Sequence, residues 1–85
     1  MLKPVKYSIG LDEYHVFIES RREGSWALVW MGSCMDLEGQ FNDEPSPSNR
    51  DENFIKNHRF STPEEAYQVF KEKSNLVVNG KKLSI

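Results

Sequence analysis

Eighty-five residues with a net charge of −2 make one small domain, since halves of about 40 residues would need disulfides or metals to fold. Neither staple exists: Cys34 is the only cysteine, so no internal disulfide forms, and no ligand cluster of zinc spacing accompanies it. Stability therefore rests on one modest apolar core, and much of the aromatic content is needed for packing.

The N-terminal stretch Met1-Leu2-Lys3-Pro4-Val5-Lys6 has no apolar run of the signal-peptide kind. Nothing approaches the ~20 apolar residues of a membrane helix, so a reducing, cytoplasmic setting is expected. A short strand is predicted around Val5–Ile9. Tyr14 to Ser20 then alternates, with Tyr14, Val16 and Ile18 toward the core and His15 and Glu19 outward, while Phe17 breaks the pattern on the outer face. Arg21-Arg22-Glu23-Gly24 supplies a turn, with Gly24 able to take positive φ. Ser25 to Met31 is the second strand. Trp26, Leu28 and Trp30 share one face and Ala27, Val29 and Met31 the other, so both faces are apolar and a central position is predicted.

Gly32 and Ser33 allow a bend, after which Cys34–Leu37 with Gln40-Phe41 can return as a third strand. Residues 42–53 read as a loop: two prolines and no large apolar residue argue against a packed element, and loops of about a dozen residues in small domains are functional or disordered. Phe54 to Phe60 is read as a strand. Thr62 is a helix N-cap, Pro63 occupies the first helical position and Glu65 completes a capping box. The helix is placed at about 63–74, with Ala66, Val69 and Phe70 on its apolar stripe. Asn79-Gly80, between Leu76-Val77-Val78 and Lys81-Lys82-Leu83-Ser84-Ile85, signals a C-terminal hairpin. The predicted class is α+β, an antiparallel sheet of four to five strands with one main helix.

Charge is unevenly spread. From Asp36 to Glu52 there are six acids and one base, Arg50, a net of −5, and the remainder has ten bases against seven acids, a net of +3. The acidic segment is either a solvated loop or one pole of a surface that steers a charged partner.

Catalytic signatures are missing. Neither His15 nor His58 accompanies a nucleophile motif or a Gly-rich strand–turn–helix. His58 with neighbouring acids offers acid–base chemistry in principle, but an exposed surface histidine is expected. There is no phosphate loop, dinucleotide fingerprint or calcium-loop spacing, so no enzyme activity, cofactor or metal is expected. For nucleic acid, the candidate phosphate ligands are Arg21, Arg22, Lys56, Arg59, Lys81 and Lys82, the cations that lie among aromatics or gather near the C-terminus. A pI of about 5.6 is nevertheless far from a dedicated binder's basic profile.

Protein binding has the stronger physical case. One helix and a short hairpin cover one face of the sheet, which leaves apolar area exposed around Phe17, Ala27, Val29 and Met31 or around the tryptophans. Aromatics, Met and Arg are the types enriched at interface centres. The candidate partner-binding residues are Arg21, Arg22, Trp26 and Trp30, with Asp43 and Glu44 as the acidic steering pair. Partner binding or self-association through the sheet is expected, and the alternative for each tryptophan is a plain place in the core.

Two resemblances bear on this. Trp30-Met31-Gly32, Gly39-Gln40 and Phe60-Ser61-Thr62-Pro63-Glu64-Glu65-Ala66-Tyr67-Gln68-Val69-Phe70 follow one another in an order that resembles the WGR domain over residues 14–75. Met31 stands inside the signature, and its Arg is missing. The resemblance implies a small nucleic-acid-binding module. In size and composition the chain is also similar to small early proteins of tailed phages, among them antitoxin-like inhibitors of toxin ribonucleases. That likeness implies an inhibitor or adaptor in the host cytoplasm, acting on a nucleic-acid enzyme with RNA in a ternary complex.

Overall fold

The two apolar-alternating stretches seed the sheet. In the computed structural model, which describes residues 6–21 and 24–85, five strands run as an antiparallel meander: β1 (Lys6–Ser8), β2 (Val16–Ser20), β3 (Trp26–Trp30), β4 (Ser33–Met35) and β5 (Phe41–Asp43). The β2–β3 ladder pairs Val16 with Trp30, Ile18 with Leu28 and Ser20 with Trp26. Because side chains alternate across a strand, these residues share the inner face, and Phe17, Glu19, Ala27 and Val29 share the outer one. β3 is the central strand, as its two apolar faces predict. The predicted first strand lies at Lys6–Ser8; Val5 is outside the described residues.

The predicted third strand is two strands, β4 and β5, divided by a turn. The Asp36 carboxylate accepts from the amides of Glu38 at 2.8 Å and Gln40 at 2.9 Å. Gly39 closes the turn with φ +86 and lies against the backbone of Lys73. The acidic stretch 42–53 is not a loop throughout. It holds the end of β5, a 3-10 turn at Pro47–Asn49 and the start of a helix, α1 (Glu52–His58).

That helix corrects the strand expected at 54–60. Asp51 is its N-cap, accepting from the Phe54 amide at 2.8 Å. Phe54 and His58, one turn apart, stack at 4.0 Å. Strand character survives at one residue. Phe60 exchanges backbone hydrogen bonds of 2.8 and 2.9 Å with Trp26, on the edge of β3 that β4 leaves unpaired.

The main helix, α2 (Pro63–Lys73), stands where its caps put it. Thr62 Oγ1 accepts from the Glu65 amide at 3.1 Å, and Ser74 is the C-cap. Ala66 and Phe70 bury its apolar stripe on the inner face, with Val16, Ile18, Leu28, Met35 and Phe60. Edge-on ring contacts run from Trp30 to Phe41 at 6.3 Å and on to Phe70 at 6.4 Å, tying helix to sheet. The C-terminal hairpin, β6 (Val77–Val78) and β7 (Lys81–Lys82), turns through Asn79 and Gly80, both at positive φ. Leu76 and Leu83 on its flanks complete the core.

The β3–β4 turn carries an unusual residue. Trp30 pairs with Ser33, so Met31 and Gly32 form a two-residue turn with φ +44 and +84. A type I′ turn favours Asn or Gly there, and the Cβ of an L residue such as Met is strained against the backbone carbonyl in the left-handed region. Met31→Gly is therefore expected to raise stability by about 0.5–1 kcal/mol, read as a higher urea midpoint.

Candidate functional site

Glu44 follows β5, and its amide donates to the Gly32 carbonyl at 3.0 Å. That bond turns its side chain into a cluster of three arginines. Arg21, at the end of β2, grips the carboxylate with two bonds, Nη2 to Oε1 at 2.9 Å and Nε to Oε2 at 3.2 Å. Arg59 Nη2 reaches Oε2 at 2.7 Å, and Arg50 Nη2 lies 3.5 Å from the same oxygen. Each arginine makes a further bond: Arg21 Nη1 to Glu19, Arg50 Nε to the Pro45 carbonyl and Arg59 Nη1 to the His58 carbonyl. Little of this is wet, with Glu44 at 9%, Arg59 at 7% and Arg21 at 20% side-chain exposure.

Burial alone raises the Glu44 carboxyl, but the three guanidiniums outweigh it and hold the group below the usual carboxylate range. The Glu44 hydrogen bond in turn raises Arg21, against the opposing effect of burial. Beneath the lattice is Cys34, fully buried, whose thiol burial pushes up to about 11.

Beside the lattice, the outer face of the sheet forms an open groove of about 380 Å³. Phe17 and Val29 floor it, with Lys6, Arg21, Glu44, Met31 and Ser33 among the residues around them. The Lys6 ammonium sits 4.2 Å over the Phe17 ring, and Met31 is 71% exposed at the rim. A second open groove, of about 360 Å³, lies between the hairpin end and α1, with Ser25, Lys56, Arg59 and Ser61 among its lining.

The expected apolar sheet face is smaller than the sequence suggests. Ala27 is fully buried and Val29 is 9% exposed, because Phe54 of the unforeseen helix packs on them with Cys34 and Phe17. Met31 and part of Phe17 stay open. Trp26 and Trp30 are half-buried against the main core, Trp26 beside Tyr7 at 5.5 Å. The Trp30 indole N–H is buried with no acceptor among the described residues.

Of the acidic steering pair, Asp43 is exposed on β5 and Glu44 is committed to the arginines. Arg21 and Arg59 meet in that lattice, and Arg22 lies outside the described residues. Lys56 is exposed on α1, and Lys81 and Lys82 are exposed on β7, apart from the lattice. His58 is buried at 8%, not exposed as expected: Nδ1 faces the Phe54 carbonyl at 2.9 Å and Nε2 the Asn42 amide at 3.2 Å. Both contacts are satisfied when Nδ1 donates and Nε2 accepts. His15 sits at φ +62 just before β2, at the edge of the first groove.

Among the described residues no group of His, Cys, Asp and Glu side chains is placed to hold a metal ion, and no helix is long and apolar enough to cross a membrane. Comparison with protein-family models, with curated proteins and with solved structures gives no match.

Proposed function

We propose that this chain is a non-enzymatic binding protein, an inhibitor or adaptor whose target is another protein, and that the outer-face groove is its contact surface. The observation that carries this reading is Met31, an apolar side chain exposed in a strained turn at the rim of a groove floored by Phe17 and Val29. Strain of this kind persists where surrounding structure over-determines it, and it concentrates at binding sites. The Arg21–Glu44 lattice fixes one wall, which lowers the ordering cost of binding. The groove is open and shallow, suited to a protein surface more than to an enclosed small molecule.

A nucleic-acid enzyme is the target class favoured by the exposed acids Asp43, Asp51 and Glu52, which complement a groove built for phosphates. Exposed Lys81 and Lys82 would then serve RNA in a ternary complex. A second reading, a WGR-like nucleic-acid module, draws on the second groove, whose charged lining residues, Lys56 and Arg59, are both cations.

Affinity capture from a lysate divided into nuclease-treated and untreated halves separates the two. Wild type should retain one protein in both halves, and Met31→Asp should lose it. Asp tolerates the left-handed region better than Met, so that loss would not reflect unfolding. Recovery of nucleic acid alone, or equal capture by Met31→Asp, contradicts the reading.

A further inference from the structure

We infer that residues 44–59 are a strap that opens from the outer face of the sheet as a unit, with the Glu44–Arg21 pair as its latch. The strap has little structure of its own: a 3-10 turn at Pro47–Asn49 and the seven-residue α1, well below the length at which an isolated helix persists. Arg50 and Arg59 belong to the strap itself, so their bonds to Glu44 hold it together internally. Among the described residues Arg21 is the one cation of the sheet on Glu44.

The other ties to the sheet are few. Phe54 packs on Ala27, Val29 and Cys34, and the Arg59 guanidinium hydrogen-bonds the Cys34 thiol. The Asn57 carbonyl accepts from the Leu37 amide at 3.0 Å, the Glu44 amide donates to Gly32 at 3.0 Å, and His58 meets Asn42 at 3.2 Å. Both ends are anchored by pairing, Asp43 in β5 and Phe60 against Trp26, so the strap can lift without strand exchange.

The main core lies on the opposite face, where α2 and the C-terminal hairpin close it with no strap residue in the buried cluster. Opening can therefore be sub-global, leaving that core intact. An ionic latch also suits reversible release, because both charges regain hydration when the pair parts, which offsets much of the lost attraction.

What the strap covers is the Ala27–Cys34 part of the outer face, directly continuous with the Phe17–Val29 groove. Opening would merge the two into one larger apolar surface. The inference stands on the strap's geometry and not on the partner reading, and each can fail alone.

Cys34 is the built-in reporter, since its thiol is fully buried beneath Glu44 and Arg59. The test is the rate of Cys34 alkylation by iodoacetamide in wild type across sub-denaturing urea, beside the unfolding transition read by Trp26 and Trp30 fluorescence. The expected result is labelling with a urea dependence much shallower than global unfolding, since the slope reports the surface exposed. Arg21→Met should then speed labelling on the order of tenfold, with a smaller proportional loss of global stability. Wild-type labelling that shares the urea slope of global unfolding would overturn the inference, and that measurement needs no variant to fold.

Discussion

Gly39→Ala is expected to lower the stability of the fold by about 3 kcal/mol, large for a single added methyl group. Two effects combine. A Cβ at Gly39 would stand 2.3 Å from the Lys73 carbonyl oxygen and 2.4 Å from its carbon, backbone atoms that cannot swing aside. The residue also holds φ +86, where an L side chain costs about 1–2 kcal/mol. Gly10 and Gly80 have φ +85 and +77 with open space around a Cβ, so alanine there should show the conformational cost alone. Urea denaturation of the three variants separates the terms. Equal losses at all three positions would mean that the approach of the β4–β5 turn to the end of α2 is not as tight as described.

Glu44→Gln should cost about 2–3 kcal/mol, because three guanidiniums lose their shared counter-charge. Removing one partner of a deeply buried pair costs about 3–5 kcal/mol. The lower figure applies because Arg21 and Arg50 keep 20% and 18% exposure, and because lifting the strap relieves the repulsion. The same carboxylate sets a pH dependence. Its folded value lies below the ordinary 4.5, so its contribution is full above that pH and is lost as the pH falls through the folded value. The stability difference between wild type and Glu44→Gln should thus be constant near neutrality and shrink below about pH 4.5. Stability measured by urea titration from pH 7 to pH 3 reads this directly, and a difference that persists unchanged into acid would remove the ionised carboxylate from the account.

Local chemistry made half of the fold legible. Thr62-Pro63 with Glu65, the Asn79-Gly80 turn and the double-faced apolar pattern of 26–30 each specify their own structure and stand where they were expected, although Met31, read as the last outward residue of that strand, lies in the turn that follows it. α1 escaped because its cap, Asp51, is embedded in a run of Asn, Asp and Pro that reads as loop. Its apolar residues Phe54 and Ile55 make no stripe long enough to show a helical period, and the helix rests instead on the contact of Phe54 with the sheet. That omission carried a second error, since a sheet with one helix leaves its outer face bare, whereas Phe54 closes part of it.

The candidate site was harder to read. Nothing in composition separates Asp43 from Glu44. The β4–β5 register does so, pairing Asp43 with Ser33 and sending Glu44 to the Gly32 carbonyl and the arginines. Arg50 looked like a stray base in an acidic stretch, yet it sits on that carboxylate. Lys6, Phe17 and Met31 meet in the groove through pairing of three strands and a turn, and of these the sequence placed Phe17 and Met31 in an exposed apolar area of the sheet without naming them among the partner-binding residues. Charge reversal at Glu44 would break the lattice, so Asp43 is the acid with which to test electrostatic steering.

The claim that the outer-face groove is a contact surface is tested most directly by titrating the captured protein into isotopically labelled chain and following backbone amide shifts. The account predicts changes concentrated at Phe17, Val29, Met31, Gly32 and Ser33, with β7 unaffected in the absence of RNA. Shifts confined to Lys81, Lys82 and α2, with the groove silent, would contradict it.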